Sequence, residues 1–96
     1  MNIHIINIYN EALAKVLGEY GISERDLFNS NDAECVQARQ ALVIGLSQLG
    51  LSDNEIAECT KKMRRCSVCR VRNRYDDRSA PWTVLKCIEM IKRGRP

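Results

Sequence analysis

Apolar residues recur at steps of three and four positions along this chain, which is the period of a helix with one buried face. The first such run ends before Gly21 and comprises Ile6, Tyr9, Leu13, Val16, Leu17 and Tyr20. No stretch alternates with period two for long enough to predict a sheet, and residues 3–8 come nearest to that pattern. The sequence therefore predicts an all-α fold with about six helices.

Capping residues place the next two helices. Ser23 and the acids after it predict a short helix over residues 26–29. Asn31-Asp32 predicts the start of a longer helix over residues 33–49, which Gly50 ends. We expect the apolar side chains of this long helix to face inward, namely Val36, Leu42, Val43, Leu46 and Leu49.

Three further helices are predicted in the second half of the chain. Ser52 and Glu55 have the spacing of a capping box, which starts the fourth helix. The fifth runs from residue 64 or 65 to Tyr75. Ser79 is expected to cap the last helix, over residues 80–93, with Pro81 in its first turn. That helix carries Trp82, Leu85, Ile88 and Ile91.

The length of 96 residues gives room for one core, so we predict a single domain over residues 1–96. Polar residues interrupt every apolar stretch far short of a bilayer span. The start, Met1-Asn2-Ile3-His4, has neither a basic leader nor a small-residue cleavage site. We therefore expect an intracellular, cytoplasmic protein whose five cysteines stay reduced.

The positive charge lies in the last third of the chain. Residues 1–60 hold three basic and nine acidic residues, a net charge of −6, and residues 61–96 hold twelve basic and three acidic residues, a net charge of +9. A dense positive patch attracts phosphate groups and releases their counterions. The asymmetry therefore favours nucleic acid as a partner, and a solvated basic helix is the alternative interpretation.

The predicted helices around Ile56 and Val68 are joined by a short polar connection, and the second is rich in arginine. This is the outline of a helix-turn-helix over residues 52–76, whose second helix enters the major groove of duplex DNA. We expect Val68, Val71 and Tyr75 to face inward. The opposite side then holds Cys66, Cys69, Arg70 and Asn73, flanked by Arg65, Arg72 and Arg74.

These side chains suit the recognition of duplex DNA. Arginine can donate two hydrogen bonds to guanine, asparagine can pair with adenine, and basic residues near the turn can reach phosphates. We predict double-stranded DNA as the partner, contacted by Lys61, Lys62, Arg64, Arg65, Cys66, Arg70, Arg72, Asn73 and Arg74.

Several short segments of the sequence resemble those of a known protein family. They are Tyr20-Gly21-Ile22-Ser23, Asp26-Leu27, Val36-Gln37-Ala38-Arg39-Gln40, Leu46, Leu51-Ser52, Glu55-Ile56-Ala57 and Ser67-Val68. Over residues 6–75 the chain resembles the C-terminal DNA-binding domain of the bacterial replication initiator DnaA, including the twelve positions from Ile56 to Val68. The resemblance implies a Trp-repressor-like helical fold and sequence-specific duplex binding. It also implies a phosphate contact by Arg39 and a DNA contact by Ser67.

The segment before Ser67 departs from that family. The initiator has Gly-Arg-Asp-His-Thr where residues 62–66 of this chain read Lys-Met-Arg-Arg-Cys, so the family's base-reading Asp, His and Thr are replaced. Asn31, Asp32 and Glu34 stand where the family has a basic loop. The resemblance therefore implies a transcription or replication regulator with a DNA target of its own.

The cysteines allow an alternative interpretation as a metal or redox site. Cys66 and Cys69 have the two-residue spacing of such sites, and Cys59 and Cys87 can complete four thiolates. Those two are isolated in the sequence, and the single histidine, His4, lies at the other end. We predict no metal and no cofactor, with Cys66 and Cys69 on or near the DNA surface. The remaining thiols are expected to fill small spaces in the core, namely Cys35, Cys59 and Cys87.

Aromatic and acidic side chains elsewhere in the sequence give weaker signals for function. Tyr20, Tyr75 and Trp82 can stack on single-stranded bases, but their helical spacing favours packing in the core. The adjacent Asp76 and Asp77 are expected to end a helix, since neighbouring helical positions face different ways. No nucleophile and base can be paired, so we predict that the protein is not an enzyme.

A second hypothesis comes from the acidic first sixty residues and the missing initiator signature. A protein-interaction module can keep the helical fold and lose sequence-specific DNA binding. Its protein partner would then bind the acidic face formed by Glu24, Asp26, Asp32 and Glu34.

Overall fold

The computed structural model describes residues 2–93 and contains six α-helices. Their bounds are α1 Ile3–Tyr20, α2 Glu24–Asn29, α3 Ala33–Gln48, α4 Asp53–Thr60, α5 Arg65–Arg74 and α6 Trp82–Arg93. The described residues form no strand, and residues 3–8 belong to the first helix. The all-α prediction is therefore confirmed.

Local hydrogen bonds explain where these helices begin and end. The Ser52 hydroxyl accepts from the Glu55 amide at 3.2 Å, and the Glu55 carboxylate accepts from the Ser52 amide at 2.8 Å. This is the predicted capping box, and it starts α4. The first helix ends at Gly21, whose φ of +63° favours a residue without a Cβ.

The third helix is the centre of the fold, because it contacts each of the other five. Residues 41–46 are all buried, so this helix is covered on every side. Gly45 lets α6 approach closely, since a Cβ at this position would lie 2.7 Å from the Cδ1 atom of Ile91. One contiguous apolar core follows, to which all six helices contribute at least one buried residue.

Two sequence predictions about this core are wrong. Val36 was expected to face inward, but it is 48% exposed because nothing packs on that side of the first turns of α3. Trp82 was expected to pack, but it is 70% exposed. The inner face of the last helix is instead formed by Val84, Cys87, Ile88 and Ile91. Ile88 and Ile91 belong to the predicted row, whereas Val84 and Cys87 are buried in place of Trp82 and Leu85.

The end of the α5–α6 connection also differs from the prediction. Ser79 lies three residues before Trp82, and its hydroxyl donates to the carbonyl of Asp76 at 3.4 Å instead of capping α6. The Asp76 carboxylate accepts from the amide of Arg78 at 3.0 Å. Asp76 therefore shapes the turn after α5, as its helix-ending interpretation predicts.

All five cysteines lie within the described residues, and none of them forms a disulfide bond. Cys35 and Cys87 are buried, Cys59 packs against the core, and Cys66 is exposed, in agreement with the prediction. Burial raises the pKa of the Cys87 thiol to about 11 and also raises that of Cys59. Both therefore stay protonated near neutral pH, which disfavours metal binding by these two sulfurs.

Candidate nucleic-acid interface

The fourth and fifth helices are joined by residues 61–64, and we call residues 53–74 the α4–α5 unit. Ile56 and Val68 are fully buried and fix the unit to the core. The buried Thr60 hydroxyl donates to the Ala57 carbonyl at 3.1 Å and accepts from the Met63 amide at 3.2 Å. These bonds hold the connection in one conformation, so α5 is presented in a fixed orientation.

A groove of about 500 Å³ lies beside α5, and we call it the basic groove. Its lining residues come from α2, the α2–α3 loop, α3, the α4–α5 connection and α5, and they are Phe28, Asn31, Val36, Arg39, Lys62, Met63, Ser67, Arg70, Val71 and Arg74. Four of these ten side chains are cationic and, in the part of the chain that the structure describes, none is acidic. Apolar side chains also line the groove, so it combines positive charge with apolar surface.

The cations of the basic groove differ in how firmly they are held. Arg39 donates to the carbonyl of Ser30 at 2.9 Å, which positions its guanidinium at the end of α2. Arg70, Arg74 and Lys62 form neither a hydrogen bond nor an ion pair with another residue in the range 2–93 through their side chains. Among the described residues these charges therefore have no partner, and they can bind an anion.

The start of α5 adds further positive potential next to the groove. Within the described residues, the first turn of α5 contains no acid, and no side chain caps it. Arg64, Arg65 and Cys66 are exposed at this end. Amide groups at a helix start carry a partial positive charge, which adds to the charges of these two arginines.

The other side of α5 packs towards the start of α4 and is neutralised. Arg72 donates two hydrogen bonds to the Asp53 carboxylate, at 3.0 and 2.9 Å. These bonds lower the pKa of the Asp53 carboxyl below its usual value. Asn73 donates to the Cys69 sulfur, one turn earlier on α5, at 3.3 Å. Arg72 thus joins the two helices of the unit.

Lys61 lies apart from the basic groove. It is the C-cap of α4, with a left-handed φ of +59°, and it borders a pocket of about 370 Å³ between α1 and α4. The other lining residues of that pocket are Ile6, Tyr9, Asn10, Glu58 and Cys59. Lys61 and Lys62 are adjacent in sequence and serve different surfaces.

The structure therefore divides the predicted DNA-contacting residues into groups. Five of them line the basic groove, namely Arg39, Lys62, Ser67, Arg70 and Arg74. Arg64, Arg65 and Cys66 are exposed at the start of α5, Asn73 is exposed further along it, and Arg72 is held by Asp53. Reasoning from sequence missed the other five lining residues, and only the position of Asn31 just before α3 gave a signal. The five are Phe28, Asn31, Val36, Met63 and Val71.

Other kinds of site find no support in residues 2–93. No group of three or more histidine, cysteine, aspartate or glutamate side chains is arranged to hold a metal ion. Within the same range, no helix combines the length and the apolar character that crossing a bilayer requires.

Comparisons with known protein families, with curated proteins and with solved structures find no match for this chain.

Proposed function

We propose that this protein binds double-stranded DNA, with the α4–α5 unit acting as a helix-turn-helix and α5 entering the major groove. The observation that carries the proposal is the basic groove, where four cations from α3, the connection and α5 face one space without an acidic lining residue. The resemblance to the DnaA C-terminal domain agrees with this use of the unit and suggests a Trp-repressor-like arrangement.

The dimensions of α5 fit this role. An α-helix with its side chains is about 10–12 Å across, and the major groove of B-form DNA, about 12 Å wide, admits it. The ten residues of α5 span about 15 Å along the helix axis. Arg70 and Asn73 are exposed and have the donor groups that read guanine and adenine. We assign base contacts to them and to the exposed residues 64–66 at the start of α5.

Phosphate contacts are assigned to the walls of the basic groove. Arg39 and Lys62 lie beside α5 and Arg74 is in its last turn, and all three line the basic groove, from which side chains can reach the DNA backbone. Arg39 is held in place by the Ser30 carbonyl, so its guanidinium loses little freedom on binding. With Arg70, these cations amount to about four phosphate or base contacts per protomer.

The fold and this surface together suggest a regulator of transcription or replication. Residues 62–66 differ from the initiator's signature, so we propose a target sequence other than the initiator's. Arg64, Arg65 and Cys66 replace the family's Asp, His and Thr at positions that would face the DNA.

Mobility-shift titration over a series of salt concentrations tests the proposal. Each neutralised phosphate contributes about −0.9 to the slope of log K against log salt, so the three assigned phosphate contacts give a slope of about −3. Selection from random duplexes then reports the preferred sequence. Failure to bind any duplex at low salt would refute the proposal.

A matched pair of variants separates the basic groove from general charge. Arg70→Gln is expected to weaken binding to the selected duplex about tenfold, because it removes a contact worth about 1–3 kcal/mol. Lys92→Gln removes the same charge from an exposed position on α6 and should change affinity less than about twofold. Equal losses for the two variants would mean that affinity follows net charge and not the groove.

The interaction-module hypothesis makes a different prediction for the acidic face. Glu24, Asp26, Asp32 and Glu34 are all exposed, and Asp32 makes no capping hydrogen bond through its side chain with any described residue. In a pull-down, reversing these four charges should abolish capture of a protein partner that binds the acidic face. Affinity for duplex DNA should stay unchanged or increase. If capture survives the reversal, this hypothesis is wrong.

A further inference from the structure

The outer face of α6 carries apolar side chains that the core does not use. Trp82 is 70% exposed, and Leu85 and Met90 are half-buried. The inner face of the same helix is already packed against α3 and α1. A shallow depression of about 350 Å³ follows this outer face, lined by Trp82, Leu85, Lys86, Glu89, Met90 and Arg93. We call these six residues the α6 face.

The α6 face has a pattern that reads the same in both directions. Its positions are separated by steps of three, one, three, one and three residues. In an antiparallel pair with a two-fold axis between positions 87 and 88, each of these positions lies level with another member of the face on the second helix. The level pairs are Trp82 with Arg93, Leu85 with Met90, and Lys86 with Glu89.

Each level pair is chemically complementary. An arginine guanidinium binds favourably over a tryptophan ring. Leucine and methionine are both apolar and adaptable in packing. Lysine and glutamate attract each other. Because the two copies are identical, every one of these pairs occurs twice.

We propose that the α6 face binds the same face of a second copy of this chain, forming an antiparallel, two-fold symmetric dimer. The inference rests on the level pairs, whose side chains are complementary in charge and in apolar character. A different partner would not require a pattern that reads the same in both directions. The six positions fall within an arc of about 140° on the helix, wide enough for a helix-to-helix contact.

The contacts already made by this face are compatible with a dimer. The Lys86 ammonium lies 2.9 Å from a Glu19 carboxylate oxygen and 5.6 Å from the centre of the Trp82 ring. It has three donor hydrogens, so it can bind a second carboxylate. Glu89 lies 3.8 Å from both Lys92 and Arg93, distances at which it can exchange partners. With the paired neighbours Glu19 and Lys92 included, the charges of the face sum to +1, so two copies repel each other only weakly.

The dimer is independent of the proposed DNA binding, since the α6 face and the basic groove share no residue. If both hold, each dimer presents two copies of α5, and the selected DNA would contain two related half-sites. The dimer can therefore be tested without DNA, and its failure leaves the DNA proposal untouched.

Sedimentation of the full chain over a concentration series tests the dimer directly. The mass is expected to rise from 11.0 kDa to twice that value. Trp82 is the only tryptophan in the sequence, so its fluorescence should shift to shorter wavelength over the same concentration range as its ring leaves water. A constant mass of 11.0 kDa with unchanged emission overturns the proposal.

Charge exchange tests the antiparallel register. Glu89→Lys and Lys86→Glu each place like charges level with one another, so each variant alone should self-associate about tenfold more weakly or worse. An equimolar mixture of the two restores opposite charges in both level pairs and should form a mixed dimer. Asn54→Lys, an exposed change on α4 outside both the α6 face and the basic groove, should dimerise like the native chain. Dimerisation that either single change leaves intact, or that the Asn54 change abolishes, assigns the contact to another surface and overturns the proposal.

Discussion

Arg70 and Arg72 lie two positions apart on α5 and face different neighbours. Arg72 is held by two hydrogen bonds to Asp53, nineteen residues earlier in the chain. Arg70 borders the basic groove and has no partner in the described chain. One arginine joins α4 to α5, and the charge of the other is not paired with any described residue. The number of arginines on a helix thus overstates the charge that a ligand can use.

The largest effect should follow from reversing the charge on the groove side of α5. Arg70→Glu with Arg74→Glu is expected to weaken duplex binding about 100-fold or more, because two attractive contacts become repulsive. Both side chains are exposed, so the helical circular dichroism signal should stay unchanged. Retained binding in this variant would contradict the assignment of the groove.

A smaller effect separates the two sides of α5. Arg72→Gln is expected to change duplex affinity less than about threefold, against about tenfold for Arg70→Gln, because Arg72 is already bound to Asp53. Mobility shifts at one fixed salt concentration suffice for this test. A loss for Arg72→Gln as large as that for Arg70→Gln would mean that Arg72 leaves Asp53 to contact DNA, as the sequence predicts.

The ion pair of Asp53 with Arg72, which we call the brace between α4 and α5, should contribute to the free energy of unfolding. Asp53→Asn is expected to lower the free energy of unfolding by about 0.3–1 kcal/mol, since the pair is partly exposed to solvent. Duplex affinity should stay the same or rise, because Arg72 is released and a negative charge is removed. A double-mutant cycle with Arg72→Gln isolates the pair itself from the effect of Asp53 on the start of α4. A coupling energy of zero would show that the brace adds nothing.

The smallest effect is a dependence of this brace on pH. Hydrogen bonding to Arg72 lowers the pKa of the Asp53 carboxyl below its usual value. The pair therefore contributes its full stability above about pH 5, and this contribution is lost as pH falls below about 4 and Asp53 becomes protonated. Thermal unfolding of the native chain and of Asp53→Asn should converge over that range. Curves that stay parallel down to pH 3 would contradict the assignment.

Local signals in the sequence predicted much of the fold. Ser52 and Glu55 act within one helical turn, and Gly21 acts through its own backbone, so a reader of the sequence can place both helix ends. The burial of Cys35 and Cys87 also followed from residue type. These features depend on few neighbours, which is why they could be predicted.

The errors concern which neighbour covers a helix face. Val36 and Trp82 are apolar and stand at helical spacing, but no element packs on them within the described chain. The inner row of α6 is set by its fit against Gly45 of α3, a contact between positions 46 residues apart. The ion pair of Arg72 with Asp53 likewise spans 19 residues. Such pairings exist only once the helices have packed, so spacing along the sequence does not reveal them.

The central position of α3 has a consequence for how the chain is made. Synthesis runs from the N-terminus, so α3 leaves the ribosome with α1 and α2 and well before the helix that covers its Gly45 side. Until residues 82–93 emerge, the Gly45 side of α3 is apolar surface exposed to water and to other nascent chains. The last helix covers that surface, and the core becomes complete only at the end of translation of this segment.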